Sequence, residues 1–357
     1  MGIKNLNQLI RDKCPQVFQQ THLSDFAYKK VAIDISLFMF RFKAAAEDRW
    51  LSVFLNLVAS LRRNEVHCVF IYDGKAPEEK RTEINKRCEQ KAKLEENNYK
   101  LSEALEEYHR NGTIDQCLVD LYKKRKSPKR LLKIDNRIDM DWVERKIHHR
   151  ETQAVKVSKD DFKLTKDLFD ILNVPYYDAP HEAEKFCSYL CKQGLVDAVL
   201  SEDTDLIAYG TPIFLSKIDT KTDNCIMISF QELLNSLEIT HQELIDLCIM
   251  CGTDYNTNIP GIGIQTSFKY IKQFKTIEAI AENTKHDITI LNHLRGRQLF
   301  TEHDTTHINS IEYCGIPDFD KLTQFISTNN ININVDHLKN FFMPKEIVLE
   351  DSEEEEE

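Results

Sequence analysis

Short apolar runs that end in a carboxylate recur along this chain. Lys30-Val31-Ala32-Ile33-Asp34 is one, Cys68-Val69-Phe70-Ile71-Tyr72-Asp73 a second, and Asp197-Ala198-Val199-Leu200 leads into Ser201-Glu202-Asp203-Thr204-Asp205 in the same way. These runs are continuous rather than alternating, which predicts strands buried on both faces. A helical pattern from Trp50 to Arg62 separates the first two. The expectation is an α/β fold, a parallel-rich central sheet flanked by helices. In open sheets of this kind function collects at the carboxyl ends of the strands, which here carry Asp34, Asp73, Asp203 and Asp205.

Between Lys75 and about Lys166 the pattern changes to charged and helical, with Glu and Lys interleaved. That stretch is too polar for a core and too long for a simple crossover, so it reads as an insert standing off the sheet. It contains the basic run Lys123, Lys124, Arg125, Lys126, Lys129 and Arg130. Such a run suits phosphate contact or, equally, a nuclear-localisation signal. Farther on, an apolar helix over 242–251 is followed by Asn256 to Ile264, with Gly261 and Gly263, and then by a helix from Gln265 to Phe274. Helix, glycine-rich turn and helix can clamp a DNA backbone, because glycines admit a phosphate and amides at the next helix start face it. The same turn can also be no more than a tight turn. Residues 290–345 read as further helices.

Composition refines this picture in three places. No run approaches the length of a membrane span, and no secretory pattern opens the chain, so an intracellular protein with no membrane partner is expected. Ten cysteines show no disulfide framework. Cys187/Cys191 and Cys248/Cys251 lie in helical apolar segments, where they read as small packed hydrophobes rather than zinc ligands. The net charge of −11 is opposite in sign to what a nucleic-acid partner favours, but seven of the acids sit in the run Glu350 to Glu357, which reads as a disordered tail. Setting those aside leaves −4, and committing seven more acids to metal leaves a mildly basic remainder.

Those seven acids are the central candidate. Asp178 to Glu184 places Glu182 and Glu184 two apart, beside Pro180, where a strand entering a helix could make them converge. Asp203 and Asp205 repeat the spacing, and Asp254 follows Gly252 after a helix. Singly, each acid would read as a cap or a surface charge. Gathered, like charges need cations, and a set of oxygen ligands without His or Cys favours Mg²⁺ or Mn²⁺ over zinc. Two such ions roughly 4 Å apart suit phosphodiester hydrolysis.

Six blocks then resemble, in order, the motifs of the flap endonuclease family, XPG-type structure-specific nucleases. They are Met1 to Leu6, Val31 to Asp34, Tyr72 to Pro77, Asp178 to Glu184, Ser201 to Asp205, and Gly252 to Tyr255. The resemblance implies metal-site roles for Asp34, Asp73, Glu182, Glu184, Asp203, Asp205 and Asp254, with Mg²⁺ as cofactor, Mn²⁺ able to replace it, and K⁺ at the helix–two-turn–helix of Gly261 and Gly263. It also implies that Lys80 and Arg87, seven apart at the base of a helical arch, polarise the scissile phosphate. Without it they would read as a solvent-facing pair. Phe40 matches an aromatic that stacks on a base, where composition alone suggests core. Gly2 matches the glycine that lies beside the family's active site.

The implied activity is structure-selective DNA endonuclease cleavage at a 5′ flap or branch, in replication, repair or recombination. The alternatives are a 5′→3′ exonuclease, a four-way-junction resolvase, or an inactive scaffold for branched DNA. The expected organisation is a nuclease region over 1–74, an arch over 75–166, an internal nuclease region over 167–290, C-terminal helices over 291–345 and a tail over 346–357. A monomer is expected, in the nucleus or at a cytoplasmic viral replication site. Val335 to Phe342 has the Leu and paired Phe of a sliding-clamp peptide, but reads better as a packed helix. Two departures from the family stand out. The Asp34–Asp73 interval is short around Ala44 to Trp50, where the family builds part of its 3′-flap pocket, and the arch is longer by a basic stretch around 110–150.

Overall fold

The computed structural model describes residues 2–124, 138–153, 156–302 and 308–343. The described residues form one seven-stranded sheet: β1 (Gln19–His22), β2 (Lys30–Asp34), β3 (His67–Tyr72), β4 (Tyr176–Asp178), β5 (Ala198–Leu200), β6 (Ile213–Asp219) and β7 (Asn224–Ser229). Their spatial order is β1-β7-β6-β5-β2-β3-β4. The five from β6 to β4 run parallel, while β7 is antiparallel to both β6 and β1. The parallel-rich sheet expected from the apolar runs is present. The antiparallel edge was not anticipated, since β1 and β7 mix polar with apolar positions.

The continuity of the central runs follows from burial on two sides. Val31, Ile33, Phe70 and Leu200 enter one hydrophobic cluster, while Ala32, Val69, Ile71 and Val199 enter the other. Successive side chains alternate faces, so a strand sandwiched between two helical layers must be apolar throughout.

The amino-terminal helices are α1 (Leu6–Lys13), α2 (Ile35–Ala46) and α3 (Trp50–Arg63). The insert supplies α4 (Arg81–Asn111), α5 (Gln116–Lys123) and α6 (Met140–Gln153). Next come α7 (Lys159–Leu172), α8 (Ala183–Lys192), α9 (Asp205–Ala208), α10 (Phe230–Leu237), α11 (His241–Cys251), α12 (Ile264–Phe274) and α13 (Ile277–Asn283). The last three are α14 (His293–Thr301), α15 (Phe319–Thr328) and α16 (Val335–Phe342). A single 3₁₀ turn, Glu47–Arg49, joins α2 to α3, so little chain is available there.

The insert holds itself together. Leu101 and Ala104 of α4, Leu118 and Leu121 of α5, and Val143 and Ile147 of α6 bury one another in a small separate cluster. The chain rejoins the main core at α7, which starts at Lys159, inside the stretch expected to stand off the sheet. A Ser158–Asp161 capping box opens that helix. Leu168, Phe169 and Leu172 are buried on it, and Phe169 stacks on Phe70 with centroids 4.1 Å apart. α16 packs on α3, with Leu338 and Phe342 each 2% exposed, which agrees with a packed helix rather than a clamp peptide.

Phe169→Ala should therefore cost about 3–5 kcal/mol, because it leaves a cavity against β3. Tyr99, exposed on α4, should tolerate Ala within about 0.5 kcal/mol. Urea unfolding of the two variants measures both, and equal losses would contradict this packing.

Candidate active site

Each candidate acid occupies the end of an element. β2 delivers Asp34 to the N-terminus of α2, where its Oδ1 accepts the Ser36 amide at 2.9 Å. Asp73 follows β3 directly, and its Oδ1 accepts the Ala183 amide at 2.9 Å. Glu182 is the extended N-cap of α8 and Glu184 lies in its first turn. That is the strand-to-helix junction its two-residue spacing suggested. Asp203 and Asp205 follow β5, with Asp203 Oδ1 accepting the Asp205 amide at 3.0 Å. Asp254 enters from the other direction, after α11 turns at Gly252.

Their mutual repulsion shows that the seven share one region. Burial raises the Asp34 carboxyl to about 8, and Asp73 and Asp203 add to the rise. Glu184 is pushed up by burial and then by Asp34, Asp73 and Asp203. Asp205 is pushed up by burial and then by Asp203, Asp254 and Glu182. The acids thus fall into two overlapping halves, Asp34, Asp73 and Glu184 in one, and Glu182, Asp205 and Asp254 in the other, with Asp203 common to both. Asp203 is itself raised, chiefly by burial. The N-termini of α2 and α8 offset part of the repulsion through their positive dipole ends.

Protein cations supply more of the compensation. Lys80 Nζ donates to Glu182 Oε1 and lies 3.2 Å from Asp254 Oδ2. Arg87 donates to Asp254 Oδ1 at 2.6 Å. The two basic residues expected to share a helix face do reach the same carboxylate. Burial alone would lower the Lys80 ammonium pKa, but Glu182, Glu184 and Asp254 raise it instead, so it stays charged. Among the described residues no three His, Cys, Asp or Glu side chains converge tightly enough, as placed, to coordinate one ion.

Gly2 lies against the acids. A Cβ there would stand 2.1 Å from Asp203 Oδ1 and 2.6 Å from Asp205 Oδ1, and its φ of +89° already disfavours any side chain. Phe40 is 47% exposed rather than core, and lines a cleft of about 260 Å³ with Asp34, Asp73, Lys80, Arg87 and Glu184. At the glycine turn, Gly261 has φ +78° and Gly263 caps α12 in an extended conformation. Nothing lies within 4 Å of a Cβ built on either, so the backbone is open to approach. Lys123 and Lys124 are exposed at the end of α5. Arg125, Lys126, Lys129, Arg130 and the acidic tail lie outside the described residues.

Sequence reasoning missed a tyrosine pair. Tyr255 donates its hydroxyl proton to Glu182 Oε2 and lies 2.5 Å from the Tyr209 hydroxyl. Both phenols are buried and held well above their ordinary pKa, so they remain donors. Tyr255 adjoins Asp254, which was a usable signal. Tyr209 reads as an ordinary core position. Arg41 also went unnoticed; it pairs with Glu202 beside Phe40 and Asp203.

Comparison with known proteins identifies the family. Family models of the XPG N-terminal domain and the XPG I-region match residues 1–94 and 173–254. The chain is 32% identical to a probable RAD2-like endonuclease, 369L, of Invertebrate iridescent virus 6, over 96% of this chain and 92% of that one. It is 31% identical to flap endonuclease 1 of Enterocytozoon bieneusi (strain H348), over 78% of this chain and 72% of the relative. In fold it is similar to the catalytic core of Rad2 in complex with DNA substrate, with a TM-score of 0.66 at 17% identity, covering 95% of this chain and 98% of the other.

The raised acids make a pH prediction with a definite sign. A carboxyl whose folded pKa exceeds its unfolded 3.8 contributes stability that is full below that value and is lost as pH rises through the folded pKa, about 8 for Asp34. In EDTA, the thermal midpoint should fall from about pH 6 to about pH 8, and magnesium should raise it more at the higher pH. Asp34→Asn should flatten the fall. A midpoint in EDTA that rises over this window would contradict the electrostatics.

Proposed function

This chain belongs to the flap endonuclease family of XPG-type nucleases, and from that membership we propose that it cuts flapped or branched DNA at the junction, with its seven acids holding two magnesium ions. It is a structure-selective DNA nuclease that hydrolyses phosphodiester bonds, and its family is generally dependent on divalent metal. The observation that carries the assignment of the site is Asp205 Oδ1, which is buried with no hydrogen-bond partner amid acids that raise one another's pKa. An orphaned buried carboxylate oxygen in an anionic cluster is what a divalent cation would satisfy. The donor set of carboxylates alone fits Mg²⁺, with Mn²⁺ able to replace it.

When bound, these ions supply Lewis acidity and charge neutralisation for displacement at phosphorus. The chain's own residues do the positioning. Lys80 and Arg87, tied to Glu182 and Asp254 in the free protein, are free to exchange those carboxylates for the scissile phosphate once cations take over the acids. Phe40 offers an exposed ring at the mouth of the cleft for a base to stack on. Tyr255, supported by Tyr209, orients Glu182 by the hydrogen bond it donates. Gly2 keeps the space beside Asp203 and Asp205 clear. The open turn at Gly261 and Gly263 suits a backbone phosphate with K⁺ beside it, as in the family. The exposed Lys123 and Lys124 extend the same phosphate-binding role to the arch.

The protein works on this reading as a monomer in the nucleus, with the cytoplasmic replication site of a virus as the alternative. Val335 to Phe342 is committed to the core, which argues against a sliding clamp binding through that segment.

Cleavage of 5′-flap, nicked, blunt and four-way-junction DNA under one salt condition, with Mg²⁺ against EDTA, tests the proposal. The flap should be cut fastest, and Asp203→Ala should reduce cutting to background while branched-DNA binding persists. Because only one turn joins α2 to α3, adding a single 3′ nucleotide to the flap should change the single-turnover rate by less than about tenfold. Preferred cutting of the four-way junction would overturn the flap reading, and a fully active Asp203→Ala would overturn the site.

A further inference from the structure

At the amino end of β3, opposite the acids, two cysteines far apart in sequence face each other. Cys68 lies on β3 and Cys314 on the irregular connection between α14 and α15, and their sulfurs are 4.0 Å apart. The connection is pinned on both sides of Cys314. Lys30 Nζ donates to the Ile311 carbonyl at 2.5 Å and sits over the Tyr313 ring, whose edge meets His67. The Gly315 amide donates to the Asn173 carbonyl at 2.8 Å, and the Asp318 amide to Ile171 at 2.9 Å. The Cys314 amide donates to His67 Nδ1 at 3.1 Å, and that nitrogen also lies 3.2 Å from Arg62. These contacts keep the two sulfurs turned toward each other.

We propose that Cys68 and Cys314 are a modification site, a dithiol that a hydroperoxide oxidises to an intrachain disulfide. The two thiols sit in unlike surroundings, which favours Cys314 as the attacking sulfur. The contact with Cys68, with His67 and Arg62 behind it, holds the Cys314 thiol below its ordinary value despite burial, while Cys68 is held well above. Cys314 Sγ also lies 3.2 Å from the Cys68 carbonyl, to which it donates. The helical pairs Cys187/Cys191 and Cys248/Cys251 are all pushed up by burial, and so stay protonated. The Cys314 sulfur attacks the peroxide, the O–O bond breaks, and one oxygen leaves as water with the thiol proton. The Cys68 sulfur then attacks the resulting sulfenic acid; an S–S bond forms, the S–O bond breaks, and the second water carries off the Cys68 proton. Two thiols and one peroxide give one disulfide and two waters. The sulfurs must close by about 2 Å to reach bonding distance.

The full chain, treated with a few equivalents of hydrogen peroxide and digested without reduction, tests this. The expected result is a peptide joining Cys68 to Cys314, lighter by two hydrogens and released by dithiothreitol, with the other eight thiols still free. Cys314→Ser and Cys68→Ser should each abolish that peptide. Cys88→Ser, at an exposed position, should leave it unchanged and provides the test should either buried variant fail to fold. Recovery of Cys68 and Cys314 as free thiols after Cys88 has been oxidised would overturn the proposal.

Discussion

Seven carboxylates crowded at the carboxyl end of a sheet repel one another, and most of what surrounds them compensates for that repulsion. The N-termini of α2 and α8 point amides at Asp34 and Asp73. Lys80 and Arg87 reach down from the base of the insert to Glu182 and Asp254. Tyr255 donates to Glu182. Even so, Asp205 keeps a buried oxygen without a partner, and burial and mutual repulsion raise the Asp34 and Asp205 carboxyls above their ordinary values. Like charge gathered this closely is what the proposed divalent cations would neutralise.

Rigidity comes from the sheet. β2, β3 and β5 are fixed by helices on both faces, so the residues that follow them are held at defined separations. Chain direction does the rest. From β2 the chain moves to β3 and β4 on one side, and then crosses to β5 and β6 on the other. The crevice at that reversal is where open α/β sheets bind ligands, and the acids cluster there. The insert, by contrast, has its own small cluster and meets the body through Lys80, Arg87, the pairing of Glu79 with Arg295 at 2.6 Å, and α6 against α2, where His148 lies 3.6 Å from Glu47. Its charged outer surface faces solvent, while the acids stay anchored to the core.

The sequence made the central sheet and the acids legible because both obey strong local rules. A strand buried on two faces must be continuous and apolar, as Val31 to Ile33 and Cys68 to Tyr72 are, and the acids directly follow such runs. Glu182 and Glu184 were readable from Pro180 and the change of period at a strand–helix junction. Other features depend on tertiary contacts with no local signature. β1 and β7 pair across the edge through Gln19 to His22, which is too polar to stand out. Tyr209 acts on Glu182 only through Tyr255, and Arg41 meets Glu202 only because α2 lies beside the β5 loop. The end of the insert was obscured because α7 carries charge on one face and buries Leu168, Phe169 and Leu172 on the other.

On the proposed function, the two overlapping halves of the acid cluster each receive a cation and share Asp203. Titration of the full chain with Mn²⁺, followed by electron paramagnetic resonance of the free ion in the absence of DNA, measures this directly. Two bound ions per chain are predicted, with weaker binding at one of them in Asp205→Asn and at both in Asp203→Asn. Binding that is absent at millimolar Mn²⁺, or unchanged in both variants, would contradict the account.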